Sequence, residues 1–350
     1  MDNTGRPKSA GRTVAARHIA EELGVSISTV SRAFSPDSQI APNTRDRILA
    51  RAKAMGYQPN PFARSLITQR TRIVSIFISD VFNPFFPEVM AILTGELQKH
   101  GLRVMLFHVP EGKTTDEVLP EGMLYQPEYI ILMTATVSFQ RTMATIDTGT
   151  HLIFFNRYVP ETDTFAITCD NKRGGRDIAE FLIETGHHNM AYIAGTPDAT
   201  TSIDRGHGFV ERCAEAGLTI VRDNLPEVFS YEDGYAAACR LIRAVPDLDA
   251  IFCANDIVAF GTVDALRHGM KRDVPRDISV VGFDDVAMAG WPSHALTTYR
   301  HPMRRMAAET VRLIREIDDN PDMAPVHRSI TGEMVPRNTH RDRRAGAMVR

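Results

Sequence analysis

Apolar residues recur along this chain in two rhythms. Up to about residue 57 the spacing is helical: Ala16, Ile19, Ala20 and Leu23 fall three or four apart, which predicts one buried stripe. Gly24 ends that helix, because the turn needs a positive φ that only glycine reaches without a Cβ clash. Ser26 then suits an N-cap. A second helix is predicted from Ile27 to about Phe34, with Val30 and Ala33 turned inward, and small Ala20 lets the two helices approach closely. A third, capped by Thr44, is predicted from Arg45 to about Met55 and stopped by Gly56. It turns Ile48, Ala52 and Met55 inward and Arg45, Arg47, Arg51 and Lys53 outward.

From Arg72 the rhythm changes to short Val-, Ile- and Phe-rich runs. Strands are predicted at Arg72–Ser79, Arg103–Val109, Tyr129–Thr134, Leu152–Phe155, Phe165–Cys169, Met190–Ala194, Glu227–Phe229, Ala250–Cys253 and Ser279–Phe283. Helices are predicted between and after them at Phe85–His100, Thr115–Tyr125, Ser138–Asp147, Arg173–Thr185, Gly206–Ala216, Glu232–Ala244, Ile257–His268 and Met303–Ile317. Such alternation implies parallel sheets covered by helices on both faces. Two runs of about five strands suit two lobes better than one very wide sheet. The fold class is therefore a small all-α helix-turn-helix head plus an α/β body of two doubly wound parallel-sheet lobes.

The two short helices around Gly24 make a helix-turn-helix, an arrangement whose second helix enters the DNA major groove. Ser28, Thr29 and Arg32 lie on its outer face, with Ile27 near its start. Hydroxyls and a guanidinium suit phosphates and base edges, and Ile27 suits a thymine methyl. After the head comes Tyr57-Gln58-Pro59-Asn60-Pro61, an extended stretch. Asn60 is placed to cap a helix and Pro61 to open it, but only two turns fit before Thr68. So short a helix is marginal alone. It is a candidate hinge that folds on DNA, with Leu66 as a wedge in the minor groove; a plain linker is the simpler alternative.

Charge sharpens this picture. Residues 1–70 hold eleven Lys/Arg and five Asp/Glu, a net +6, against 29 and 38, a net −9, in the remainder. A basic head on an acidic body points to a polyanionic partner for the head alone. Cys169, Cys213, Cys239 and Cys253 are scattered without CxxC or Cys/His spacing, so neither a disulfide framework nor a metal site is expected, and no cofactor. No window is apolar enough to span a membrane and the N-terminus does not read as a secretory signal, so a cytoplasmic protein is expected. The tail from residue 341 reads as disordered.

In doubly wound sheets, ligands bind beyond the carboxyl ends of strands. Those ends here carry Asp80 and Asn83 with Phe82 and Phe85, then Asn156 and Arg157, Asp170 and Asn171, Asn255 and Asp256, and Asp284 and Asp285. Arg205 follows the strand Met190–Ala194 at a helix start. Each is an ordinary helix cap or turn residue when taken singly. Together they describe a cleft for a small polar ligand, with carboxylates, amides and a guanidinium for vicinal hydroxyls and Phe82, Phe85 or Trp291 to cover a ring. Two such lobes also occur in enzymes and in transport binding proteins. Gly206-His207-Gly208 lacks the third glycine of a dinucleotide loop, and no P-loop, nucleophile elbow or HExxH is present. The pair Asp284-Asp285 is the one acid/base candidate.

GVSISTVSRAF, the Thr44–Arg45 helix start, GYQPNPFARSL, FNPFF, CDN, AND and GFDD occur in one order here. On these motifs, residues 13–340 resemble the lactose/galactose-repressor (LacI/GalR) family of bacterial transcription regulators. The resemblance implies a homodimer whose heads read a pseudo-palindromic operator. Its DNA contacts would fall on Ser26, Ile27, Ser28, Thr29, Ser31, Arg32, Asn60, Ala63 and Leu66, the last two in the minor groove. It also implies a periplasmic-binding-protein-like body that crosses between lobes three times. A sugar-like effector would touch Asp80, Phe82, Asn83, Phe85, Asn156, Arg157, Asp170, Arg205, Asn255 and Asp284. Expected boundaries are a head at 1–57, a hinge at 58–71 and a body at 72–340. Within the body, lobe 1 is expected at 72–166 and 297–326, and lobe 2 at 167–296 and 327–340. Asn156 stands where many members carry Asp, and the C-terminus lacks the leucine heptads of a tetramerising tail.

Leu66→Ala is expected to weaken specific duplex binding by about 1–3 kcal/mol, with less effect on nonspecific binding. Salt-matched titrations of a consensus and a scrambled duplex check this; equal losses on both would remove the wedge.

Overall fold

The computed structural model describes residues 16–34, 40–58, 70–110, 112–133, 149–160, 162–195, 199–224 and 230–344. Expectations for Asn60, Ala63, Leu66, the helix Ser138–Asp147 and the strand Glu227–Phe229 lie outside these residues. The chain forms two compact units, residues 1–71 and 72–350.

In the first unit, α1 (Ala16–Leu23), α2 (Ile27–Ala33) and α3 (Pro42–Ala54) surround Ile19, Ala20, Val30, Ala33, Ile48 and Ala52. Gly24 takes φ +67°, which lets the Val25 amide reach back 3.0 Å to the Ala20 carbonyl and stop α1. The start of α3 differs from the expectation. It begins at Pro42, not Arg45, and Thr44 is not its cap; the N-cap is Ala41, without a side-chain bond. Proline suits a first helical position because its missing N–H is not needed there. Arg45 is not simply outward either, since its Nε donates to the Ala33 carbonyl at 3.1 Å and ties α3 to the carboxyl end of α2.

The second unit holds two six-stranded sheets. The first has the order β11-β5-β4-β3-β1-β2, all parallel. Its strands are β1 (Ile73–Ile78), β2 (Arg103–His108), β3 (Tyr129–Leu132), β4 (His151–Phe155), β5 (Phe165–Cys169) and β11 (His327–Ile330). The second has the order β12-β10-β9-β8-β6-β7, parallel except for β12 against β10. Its strands are β6 (Met190–Ala194), β7 (Val221–Asn224), β8 (Ala250–Cys253), β9 (Ser279–Asp284), β10 (Thr297–Arg300) and β12 (Glu333–Val335). Helices α4 (Phe85–Lys99), α5 (Thr115–Met123), α6 (Asn171–Glu184), α7 (Thr200–Glu215), α8 (Tyr231–Ala244), α9 (Asp256–Asp264) and α10 (Met303–Asp319) connect them.

The chain passes between sheets after β5, after β10 and after β11, so the lobe boundaries move from those expected. All of β5 stays in the first sheet, β10 joins the second rather than the first, and β11 joins the first rather than the second. The sequences TTYR, HRSI and EMV carry no apolar run, so periodicity gives no sign of these strands. Helix α10 returns to the first lobe, where the Tyr129 hydroxyl donates to Asp318 at 2.7 Å.

The expected helix start at Gly206 also moves, to Thr200. The polar segment Thr200-Thr201-Ser202 reads as a loop but is buried, with Ser202 Oγ accepting from the Gly195 amide at 2.7 Å. Arg205 therefore sits in the second turn of α7. Helices α6 and α7 touch backbone to backbone: a Cβ on Gly175 would overlap the Arg205 carbonyl, and one on Gly208 the Lys172 carbonyl. Gly175→Ala is expected to force these helices apart and destabilise the fold by about 1–3 kcal/mol or more. Urea unfolding measures the loss, and an unchanged midpoint would show that the contact relaxes freely.

Candidate nucleic-acid and ligand sites

On the head, α2 begins where Ser26 Oγ accepts from the Thr29 amide at 3.1 Å. The same oxygen lies 2.8 Å from each of the Ser28 and Thr29 hydroxyls, so three hydroxyls cluster at the helix start. Ile27 beside them is 56 % exposed although apolar. Arg32 is exposed, with Nε on the Ser28 carbonyl at 3.3 Å, and Ser31 is half-buried. Val30 and Ala33 fix this face by packing inward. Arg47 and Lys53 are exposed on α3, whereas Arg51 pairs with Glu22 at 2.7 Å.

In the body, Arg205 is the centre of the strand-end cluster and is only 3 % exposed. Its Nε donates to Asn171 Oδ1 at 2.8 Å, Nη1 to the Ala254 carbonyl at 2.6 Å and Nη2 to Asp284 Oδ1 at 3.3 Å. Its guanidinium carbon stands 3.6 Å from the centre of the Phe283 ring. Burial pushes the Asp284 carboxyl up to about 7 against the opposing pull of Arg205, and Glu88 adds to the rise. Asp256, fully buried, accepts from the Thr298 hydroxyl at 2.6 Å and the Val286 amide at 2.9 Å, which pins the turn after β9. Its carboxyl lies well above the usual range because of burial and then Asp284.

From the first lobe, Asn156 Oδ1 lies 2.8 Å from His301 Nε2, and the Phe85 ring packs edge-on to that imidazole with centroids 4.9 Å apart. Burial and then Arg205 hold His301 well below the usual histidine range, so the ring is neutral and its Nε2–H donates to Asn156. Asp80 Oδ1 accepts from the Phe82 and Asn83 amides, and Asn83 Oδ1 from the Phe85 amide. Arg157 faces the charges of Arg205 and Asp80. Two further bonds join the lobes: the Tyr158 hydroxyl donates to Asp204 at 3.1 Å, and the Ala287 amide to Glu88 at 2.7 Å.

The structure thus gathers Asp80, Phe85, Asn156, Arg157, Arg205 and Asp284 into one neighbourhood. Asn255 and Asp170 are adjacent but serve as N-caps of α9 and α6, through the Val258 and Arg173 amides. Phe82 is 93 % exposed and Trp291 51 % exposed, so neither ring is packed into the cluster. Asn156, Asp284 and Asp285 take φ of +69°, +121° and +55°, a region that Asn and Asp enter more readily than other side chains. Sequence reasoning missed His301, Phe283 and the hold of Asn171 on Arg205. CDN marked the place of Asn171; nothing in TYRHPM marks His301. Of the pair Asp284-Asp285, Asp285 is held by Arg300 at 2.7 Å and Arg337 at 2.6 Å, and Asp284 by Arg205 at 3.3 Å.

Asp284 generates a pH prediction. Its carboxyl is raised in the fold, so its contribution to stability is complete below the unfolded value near 3.8 and is lost as pH rises through about 7. Stability of the parent relative to Asp284→Asn should fall by up to about 1.4 kcal/mol per pH unit across that window and level off above it. Urea unfolding of both proteins from pH 5 to 8 tests this; parallel profiles would place the carboxyl in the ordinary range.

Comparison with known proteins follows the same division. Residues 17–60 match the family described as Bacterial regulatory proteins, lacI family, and residues 179–340 match a Periplasmic binding protein-like domain. The chain is 29 % identical over 307 residues to the HTH-type transcriptional regulator CelR of Thermobifida fusca, covering 85 % of this chain and 89 % of the relative. A structure of the lac repressor dimer bound to operator and the anti-inducer ONPF superposes with TM-score 0.84 at 20 % identity, covering 94 % of this chain and 99 % of the other. A CelR–cellobiose complex superposes with TM-score 0.68 at 26 % identity, covering 93 % and 99 %.

Proposed function

Because the chain belongs to the LacI family of bacterial regulatory proteins, we propose that it is a DNA-binding transcription repressor whose operator affinity a small polar effector controls. One observation carries the reading: a helix-turn-helix with an exposed polar face precedes two lobes whose strand ends share a buried polar cluster. In this reading Ser26, Ile27, Ser28, Thr29, Ser31 and Arg32 read the major groove, and Asn60, Ala63 and Leu66 belong to a hinge in the minor groove. The protein acts as a homodimer on a pseudo-palindromic site in the cytoplasm. The comparison with a repressor dimer on its operator supports the pairing. Among the described residues, no helix is long and apolar enough to cross a membrane.

The effector sits among Asp80, Phe82, Asn83, Phe85, Asn156, Arg157, Asp170, Arg205, Asn255 and Asp284. A sugar or sugar derivative fits these acceptors and donors, and the similar solved structure described as a CelR–cellobiose complex supports that class. The effector alters DNA binding by its different affinity for the two lobe arrangements. In this reading the effector is bound, not turned over, in keeping with relatives that are transcription regulators.

Selection of duplexes from a random pool at moderate salt tests the DNA reading. The expected product is a pseudo-palindrome with a flexible pyrimidine–purine step at its centre. Salt-sensitive binding with no consensus would overturn unaided sequence reading by the head.

A further inference from the structure

Arg157 is the anomaly of the cluster. It follows Asn156 beyond β4, and its Nε and Nη1 are buried with no hydrogen-bond partner among the described residues. Arg205, by contrast, spends Nε, Nη1 and Nη2 on three partners. The charges that Arg157 senses are the repelling guanidinium of Arg205 and the carboxylate of Asp80. Asp80 makes no ion pair with it, and one Asp80 oxygen is already bonded to two amides. Burial and then Arg205 lower Arg157 to about 10, which still leaves it charged at neutral pH.

Arg157 is half-buried as a residue, but two of its donors are sealed from water and empty beside a second cation, which is costly. A sugar hydroxyl would fill a donor but leave the charge. A carboxylate or phosphate oxygen fills the donor, neutralises the charge and screens the repulsion by Arg205. Resting on the effector reading above, we propose that the effector is an anionic sugar derivative whose carboxylate or phosphate group binds Arg157. The acceptors Asp80 and Asp284 take its hydroxyls. Cellobiose, found with CelR, carries no charge, so this site would differ from that one in the class it selects.

The test uses the full chain and matched probes: galactose, galacturonate and galactose 1-phosphate, and glucose, glucuronate and glucose 6-phosphate. Calorimetry gives Kd for each. An acidic member is expected to bind about tenfold or more tighter than its neutral parent, with the carboxylate and phosphate arms deciding the anion. Arg157→Gln should erase that preference and Arg157→Lys keep part of it. Without any sugar, Arg157→Met should raise Tm, because it removes two buried, unpaired donors; a purely structural arginine would give a lower one. Neutral sugars binding as tightly as their acids, or a preference that survives Arg157→Gln, would overturn the anionic class and leave the sugar reading standing. No binding by any member, charged or neutral, would overturn both.

Discussion

The body depends on one buried guanidinium. Arg205 comes from α7, yet each of its donors ends on a different segment: Asn171 at the start of α6, the Ala254 carbonyl beyond β8, and Asp284 at the end of β9. Phe283 supplies the ring beneath it. The backbone of Arg205 is fixed as well, because Gly175 on α6 presses against its carbonyl. A buried ion pair of this kind is weak as a source of stability, since desolvation cancels much of the attraction. Its value here is geometric: with those contacts fixed, the turn Asp284-Asp285-Val286 has one place to be.

The electrostatics of the cluster follow from that burial. Asp284 rises although Arg205 touches it, because the pair lies in a medium too apolar to reward full ionisation. His301 falls for the same reason, with Arg205 adding to the effect. A neutral imidazole can then donate through Nε2 to Asn156, linking the returning chain after β10 to the end of β4. Ionisation states and lobe contacts are thus coupled through one side chain.

Among the described residues, polar bonds join the two lobes beside a hydrophobic cluster that draws on both sheets. Tyr158 meets Asp204, Glu88 meets the Ala287 amide, and His301 meets Asn156 and Phe85. Cores of close-packed apolar side chains resist deformation, whereas a polar contact exchanges with water at little net cost. The polar bonds between the lobes are therefore the adjustable part of their contact. A ligand that bridges both at Arg205, Arg157 and Asp80 acts on that adjustment, which is the physical basis for control in the proposed reading.

Helical and two-fold periodicity located both units, because burying one apolar stripe is a local constraint that a sequence displays openly. Gly24 and Ser26 likewise announced the turn before α2, since a positive φ and a free amide are needs of single residues. The strand-end residues were legible as types, Asn and Asp being favoured wherever a turn enters the left-handed region. What the sequence left open was long-range. TTYR, HRSI and EMV became strands only because a neighbouring strand offered a free edge, and this moved the lobe boundaries. Thr200-Thr201-Ser202 joined a helix because burial, not propensity, decided it. His301 and the empty donors of Arg157 belong to the same class. Whether a polar group finds a partner depends on residues distant in the chain, and only the folded arrangement determines which ones come within reach.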